Sequence, residues 1–163
     1  MPQLEGRALI ELKRILVPTD FSKTSEVAIN YARALAAAFG ASLDVLHVLE
    51  DPYVHGWASV SSLPNLPSYR EVLPQRAHER LEELVTPADR ERFHAQIVTK
   101  FGAPFIEIIR YAKEHDIDLI VMGTHGHGPI VHMLMGNVAE KVVRKAPCPV
   151  LTVRHPELRF VMP

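Results

Sequence analysis

The feature that most constrains this chain is an apolar segment that runs directly into a glycine-rich loop. Residues 119–122 have the composition of a buried strand, and glycines follow at positions 123, 126 and 128. Another glycine, Gly136, precedes a helical pattern that extends from Asn137 to Lys145. Glycine lets backbone N–H groups approach an anion, and a helix N-terminus adds unpaired N–H donors. This order of strand, glycine loop and helix is typical of phosphate sites in α/β proteins.

Two common phosphate-binding motifs are absent from the chain. The motif G-x-x-x-x-G-K-[ST] requires a lysine after its second glycine, but Pro129 follows Gly128. The motif G-x-G-x-x-G is also missing, and residues 17–22, after the first apolar strand, contain no glycine. The spacing that remains is G-x2-G-x9-G-N, which begins at Gly123 and ends at Asn137.

Apolar strand patterns alternate with helical patterns along the chain. We expect strands at residues 15–17, 43–49, 93–100, 119–122 and 149–153. Strands that alternate with helices form parallel βαβ units with right-handed crossovers. The predicted fold class is therefore α/β, a single-domain, doubly wound, Rossmann-like parallel sheet with five strands. Its ligand crevice should lie beyond the carboxyl ends of the strands, where the winding direction reverses.

Local signals place the first two helices. Ser22 is a suitable N-cap for a helix that ends near Phe39, with Gly40 as its left-handed stop. A second helix should begin at about Tyr69 or Pro74, before a cap and turn at residues 86–89. The first helix carries an apolar face, which is its expected buried side, at Val27, Tyr31, Ala34, Leu35 and Ala38.

The chain divides into three predicted regions. Residues 1–12 form a lead-in, residues 13–153 form the domain, and residues 154–163 form a tail. Within the domain, residues 50–68 are rich in Pro and Ser and predict a long loop. A loop of this length is usually functional or mobile. Trp57 inside it either belongs to a lid or packs the loop down.

Composition excludes several classes of partner. The net charge is −1, so no global basic field attracts nucleic acid or an anionic membrane. The sequence has no signal-peptide pattern and no apolar run of about 18 residues. Both observations favour a cytoplasmic location. A single cysteine, Cys148, fits a reducing compartment. His125, His127 and His132 lack a further ligand at convincing spacing, so we expect contact with ligand phosphate or solvent, and no metal site from protein side chains alone.

Several separated segments resemble the universal stress protein family, in its ATP-binding subset. They cover residues 15–22, 46–48, 118–126, 136–142 and 146–151, within a similarity that extends from about Lys13 to Val153. The family's glycine motif has Ser or Thr where this chain has Asn137. The resemblance implies a sheet of order 3-2-1-4-5, a homodimer, and ATP in the crevice, with or without Mg²⁺ or Mn²⁺.

The resemblance also implies where the nucleotide lies. Asp20 and the Val48 backbone correspond to the adenine and ribose contacts, and Gly126 corresponds to the loop around the phosphates. We add His127 as a phosphate contact. The full set of expected nucleotide-binding residues is Pro18, Thr19, Asp20, Val48, Met122, Gly123, Gly126, His127, Gly136, Asn137 and Val138.

Other interpretations remain open for Asp20, the glycine loop and Asn137. Asp20 could serve as a cap for the helix that begins near Ser22 and have no role in nucleotide binding, since Asp and Ser are both preferred caps. The glycine loop could be only a tight turn. The Asn137 amide can donate to phosphate, but it is bulkier than serine, so it either weakens triphosphate binding or favours a shorter phosphate chain.

Three functional hypotheses follow. The leading one is a regulatory or stress-response module that binds ATP or a related adenine nucleotide. The second is a nucleotide-hydrolysing or adenylyl-transferring enzyme, although no catalytic base, phosphate-binding lysine or acidic pair for magnesium stands out, so at most weak ATP hydrolysis is expected. The third is a nucleotide-free, dimeric interaction protein.

The fifth strand predicts the dimer contact. Val150, Leu151 and Val153 belong to a short, β-branched, apolar segment that closes the βαβ series and is expected at an edge of the sheet. Pairing two such edges about a two-fold axis would cover their backbone N–H and C=O groups.

Overall fold

The computed structural model describes residues 10–50, 66–124 and 135–154, with side chains described from residue 72 onward in the second range. Five strands are present in these ranges: β1 (Arg14–Pro18), β2 (Ser42–Leu49), β3 (Gln96–Phe101), β4 (Leu119–Gly123) and β5 (Val150–Val153). Five helices accompany them: α1 (Lys23–Phe39), α2 (Leu66–Leu84), α3 (Pro87–Phe93), α4 (Pro104–Glu114) and α5 (Asn137–Lys145).

The strands form one parallel sheet of order β3-β2-β1-β4-β5. The predicted doubly wound class and the order implied by the resemblance are both confirmed. β1 pairs with β2 on one side and, through Ile15↔Leu119 and Leu16↔Ile120, with β4 on the other. The winding direction therefore reverses between β1 and β4, and a crevice opens beyond their carboxyl ends.

Helices cover both faces of the sheet, which explains why its strands are almost continuously apolar. On one face, Ile15, Val17 and Val45 pack with α1, α2 and α3 in a first core. On the other face, Leu16 and Leu46 pack with α4 and α5 in a second core. Alternate residues of each strand thus belong to different cores.

The predicted ends of α1 are confirmed, but its predicted buried face is wrong. Ser22 accepts a hydrogen bond from the Ser25 backbone N–H, and Gly40 ends the helix at φ 70°. Of the predicted face, Val27 and Leu35 are only partly buried, and Tyr31, Ala34 and Ala38 are exposed, Tyr31 by 53%. The fully buried stripe is Ala28, Ile29, Ala32 and Ala36. Small side chains on this stripe let the helix lie close to the sheet, which leaves the larger tyrosine ring outside.

Three predicted boundaries also differ from the structure. α2 begins at Leu66, inside the predicted 50–68 loop, and it contains Pro74, although proline in a helix interior removes a hydrogen bond. At residues 86–89 the predicted cap is confirmed, because Thr86 is an N-cap, but the predicted turn is the start of a short helix, α3. The third strand begins at Gln96, because Phe93 ends α3 and His94 has a left-handed φ of 48°.

Some sequence predictions fall outside the described residues. These concern residues 1–9 of the lead-in, Trp57 and the rest of residues 51–65, the loop at 125–134 and the tail from residue 155. Within the described residues, no helix is long and apolar enough to cross a membrane.

A buried charged cluster lies at the amino ends of the strands, away from the crevice. Asp44 on β2 is almost fully buried, forms a 2.9 Å ion pair with Arg14 and accepts a 3.1 Å hydrogen bond from the Tyr111 hydroxyl. Burial and the nearby Asp44 carboxylate raise the pKa of Tyr111 to about 12. The cluster ties β1, β2 and α4 together and takes no part in the pocket.

Candidate functional site

A pocket of about 500 Å³ lies beyond the carboxyl ends of β1, β2 and β4, between the N-termini of α4 and α5. Nine of the eleven expected nucleotide-binding residues line it, and Gly126 and His127 lie outside the described residues. The nine are Pro18, Thr19, Asp20, Val48, Met122, Gly123, Gly136, Asn137 and Val138. The structure therefore brings segments that are more than 100 residues apart in sequence into one cavity.

Sequence reasoning missed eight further lining residues. Some directly precede or follow predicted positions, and Pro104 and Ile108 come from the start of α4, which no phosphate motif marks. The eight are Ser25, Leu46, His47, Glu50, Pro104, Ile108, Thr124 and Ala139. The strand order could have indicated the α4 residues. Because α4 leads into β4, its N-terminus lies at the same edge of the sheet as the carboxyl ends of the strands.

A strained turn carries Asp20 into the pocket lining. Phe21 has a φ of 62°, which is uncommon for a bulky residue. Its N–H donates to the Thr19 hydroxyl at 3.0 Å, and the N–H of Ser22 donates to a carboxylate oxygen of Asp20 at 3.0 Å. Ser22, not Asp20, caps α1. Asp20 therefore stabilises the turn locally, while it also borders the cavity.

The hydroxyl groups at this turn are used in internal hydrogen bonds. The Ser25 hydroxyl donates to the Ser22 carbonyl at 2.8 Å. Because its single proton is occupied, the 3.0 Å contact between the Thr19 and Ser25 hydroxyls has Thr19 as donor. Among the described residues, no histidine nitrogen bonds to either hydroxyl, since Nδ1 of His47 bonds to the Thr19 carbonyl instead. The described residues therefore do not arrange either hydroxyl as an activated nucleophile.

His47 lies beside the same turn and bonds to its backbone. Its Nδ1 lies 2.8 Å from the Thr19 carbonyl oxygen, and because a carbonyl only accepts, Nδ1 carries the proton. Burial lowers the pKa of His47 below its usual 6.5, and the Arg80 charge lowers it further. The bond to Thr19 and the Asp20 carboxylate act in the opposite direction.

The start of α5 also lines the pocket. Gly136 is the N-cap of this helix, no side chain caps it, and its own N–H donates to the Thr124 carbonyl at 2.6 Å. The first helical residues, Asn137, Val138 and Ala139, line the pocket. An uncapped helix N-terminus presents N–H donors and partial positive charge, which suits an anionic group.

Gly123 is glycine for a packing reason. A Cβ at this position would lie 2.8 Å from Cγ2 of Thr24 and 3.2 Å from the Thr24 backbone carbon. Real Cβ atoms essentially never come within 3.0 Å of another heavy atom, so the 2.8 Å approach to Cγ2 of Thr24 would force a shift. Gly123 therefore lets β4 lie close to the start of α1, in addition to its place in the pocket lining.

The described residues contain no group of three or more His, Cys, Asp or Glu side chains that could hold a metal ion. Asp20 and Glu50 are the carboxylates among the described lining residues, and none of those residues is Lys or Arg. His125, His127 and His132 lie in the segment that the structure does not describe.

Comparison with known proteins decides the family. A family model described as the universal stress protein family matches residues 11–154. The chain belongs to the universal stress protein family. Universal stress protein MJ0531 of Methanocaldococcus jannaschii is 33% identical over 153 residues, which cover 89% of this chain and 84% of that protein. Universal stress protein MJ0577 of the same organism is 29% identical over 156 residues, which cover 88% and 95%.

Solved structures show the same fold. The structure of MJ0577 matches with a TM-score of 0.77 at 27% identity and covers 91% of this chain and 99% of that one. A universal stress protein solved in complex with cAMP matches with a TM-score of 0.60 at 23% identity, over 87% and 97% of the two chains. The family resemblance seen in the sequence is thus confirmed.

Proposed function

We propose that the crevice between β1 and β4 binds an adenine nucleotide, ATP or a close relative, and that the protein acts as a nucleotide-dependent regulatory or stress-response module. The observation that carries the proposal is the pocket itself. It has a volume of about 500 Å³, and its lining combines apolar walls, the Asp20 carboxylate and an uncapped helix N-terminus. Small-molecule pockets usually enclose about 300–1,000 Å³ and combine apolar walls with a few polar groups.

Each part of the pocket suits one part of an adenine nucleotide. Leu46, Ile108 and Met122 offer aliphatic surfaces for the adenine ring, and the Val48 backbone can read the edge of the base. The Asp20 carboxylate can accept hydrogen bonds from ribose hydroxyls or from the adenine amine. The start of α5, with the Asn137 amide, suits the phosphates, to which we also assign Gly126 and His127.

The family comparison supports adenine nucleotides as the class of ligand, and it supports ATP as the specific ligand less strongly. A solved universal stress protein of the same fold holds cAMP, which is an adenine nucleotide. If Mg²⁺ or Mn²⁺ accompanies ATP, Asp20 or Glu50 is the described carboxylate that could contribute a ligand. Phosphate oxygens and water would supply the remaining ligands.

Binding fits the described residues better than turnover does. The Thr19 and Ser25 hydroxyls donate to internal partners, and no described lining residue is a lysine or arginine that could stabilise a transferring phosphoryl group. The alternative of a nucleotide-free interaction protein predicts that no nucleotide binds. The homodimer, the cytoplasmic location and the lack of a nucleic-acid partner stay predictions.

Calorimetric titration of the wild type and one matched pair of variants tests the proposal. Asp20→Asn keeps an oxygen for the Ser22 N–H but removes the charge, so ATP affinity should fall by about 1–3 kcal/mol with little change in thermal stability. Glu91→Gln removes one exposed carboxylate on α3, which contributes no lining residue to the pocket, and should leave ATP affinity unchanged. Failure of the wild type to bind ATP, ADP or AMP at millimolar concentration would contradict the proposal.

A further inference from the structure

His47 borders the pocket, but its side chain projects from the face of the sheet opposite to the apolar pocket walls. Along β2, Leu43 and Val45 point into the first core, whereas Leu46 points into the second core, to which the apolar pocket walls belong. By this alternation the His47 side chain projects to the first-core face. Its contact with Phe21, which packs against that core, agrees.

The side chains of His47, Phe21 and Arg80 are stacked beside the turn that follows β1. The His47 and Phe21 ring centroids lie 4.4 Å apart at an angle of 43°. The Arg80 guanidinium, from α2, lies 3.9 Å from the Phe21 centroid on a cation–π contact. The layers hold Phe21 in its left-handed conformation at φ 62°, directly after Asp20.

The hydrogen bond from His47 acts on the neighbouring peptide group. The Thr19 carbonyl that accepts from His47 Nδ1 belongs to the same peptide plane as the Asp20 N–H. When that carbonyl is fixed, the plane that leads into Asp20 is fixed too, and with it the direction of the carboxylate. The Thr19 N–H is held independently, by the Leu46 carbonyl at 2.8 Å.

We propose that His47 is a positioning residue of the nucleotide site, which orients the Asp20 carboxylate by holding the Thr19 carbonyl. This inference rests on the proposed function, because it concerns the affinity of the same pocket. The competing explanation is that His47 only fills space beside Phe21. The positioning role requires the Nδ1–H donor of His47, whereas the space-filling role requires only its ring.

Two substitutions separate the donor from the ring. His47→Phe keeps an aromatic ring against Phe21 but loses the Nδ1–H donor. His47→Asn loses the ring but places an amide N–H the same number of bonds from Cβ as Nδ1. His78→Phe is the matched control, because His78 is an exposed histidine on α2 whose described ion-pair partner is Glu82.

The experiment combines ATP titration calorimetry with hydrogen exchange at the Phe21 and Ser22 amides. In His47→Phe, ATP should bind about threefold to tenfold more weakly, the change expected from one lost hydrogen bond, and both amides should exchange faster. His47→Asn should restore affinity to within about threefold, and His78→Phe should match the wild type. Unchanged ATP affinity or unchanged exchange in His47→Phe overturns the positioning role.

Failure of the proposed function gives a different result. If the wild type does not bind ATP, the nucleotide site itself is refuted, and the positioning role at that site is refuted with it. Faster exchange at Phe21 and Ser22 in His47→Phe would then show only that His47 holds the turn. If His47→Phe does not fold, a His47→Asn variant that binds ATP more than tenfold more weakly than the wild type overturns the proposal.

Discussion

Gly123 shows how one residue can serve both the fold and the site. Replacement by alanine places a Cβ 2.8 Å from Thr24 Cγ2, so the start of α1 or the end of β4 must shift. Overpacking of this kind costs about 1–3 kcal/mol of unfolding free energy, which denaturant titration of Gly123→Ala would measure. Thr24→Ser removes the methyl group, so the double variant should recover part of the loss. A Gly123→Ala variant as stable as the wild type would contradict the close approach.

Single residues also show the limit of motif-based prediction. Gly136 and Asn137 are predicted from the helix start that follows the glycine loop, the role of Asp20 is implied by the family resemblance, and all three residues line the pocket. Ser25 lies in the first turn of α1 and Ile108 lies one turn inside α4, and only the three-dimensional packing shows that these helix faces border the cavity. Gly123 was placed correctly, but its contact with Thr24 could not be foreseen without the pairing of β1 with β4.

At the scale of elements, α1 and α3 are joined by one arginine. The Arg33 guanidinium donates to both carboxylate oxygens of Asp89 at 2.9 and 2.8 Å, and also to the Leu84 carbonyl at 2.8 Å. Asp89 in turn accepts from the Thr86 N–H, which completes a capping box at the start of α3. Burial raises the pKa of Asp89, but the hydrogen bonds from Arg33 and Thr86 outweigh it, so the pKa is lowered from 3.8.

Asp89→Asn should therefore destabilise the protein by about 1–3 kcal/mol at pH 7, because it removes the charge from a buried, hydrogen-bonded group. A carboxyl with a depressed folded-state pKa stabilises above its unfolded pKa, and this contribution is lost as the pH falls through the folded value. The difference between wild type and variant in denaturant titrations should thus shrink below about pH 3.8. Glu82→Gln, at an exposed ion pair, is the control and should change stability little. A wild-type advantage that does not depend on pH would contradict this account.

Elements with clear end signals were the easiest to predict. Ser22 and Gly40 mark α1, and Gly136 marks α5, which runs over Asn137–Lys145 as predicted. The sequence predicts too late a start for α2, because proline normally marks a helix start whereas Pro74 lies inside this helix. The buried face of α1 was misplaced since alanines, which carry a weak hydrophobic signal, form the stripe against the sheet.

At the scale of the whole molecule, β5 is an edge strand of the described sheet, as predicted. Leu151 is 36% exposed there, whereas Val153 packs into the first core, so of these two side chains only Leu151 is available to a partner. We expect Leu151→Lys to convert a homodimer into monomers, because a charge at a paired edge opposes association. Phe101→Lys, on the opposite edge strand β3, should leave the dimer intact. Light scattering that gives a monomeric wild type, or a dimeric Leu151→Lys variant, would contradict the placement.

The order of the strands in the sheet is the part of the fold that the pattern of strands and helices could not predict. Alternating strands and helices predicted a doubly wound parallel sheet, but many strand orders satisfy that pattern. The order 3-2-1-4-5 is implied by the family resemblance, which rests on all the separated matching segments between residues 15 and 151. Once β1 lies beside β4, the approach of Asp20 to the start of α5 follows from the geometry of the sheet.

Titration of isotope-labelled protein with ATP, followed by amide NMR shifts, tests the central claim most directly. The account predicts saturable shifts at Asp20, Val48, Asn137 and Val138, which line one pocket although they are distant in sequence, and no shifts in α3. Shifts confined to other surfaces, or no shifts at millimolar ATP, would contradict the claim that this crevice is an adenine nucleotide site.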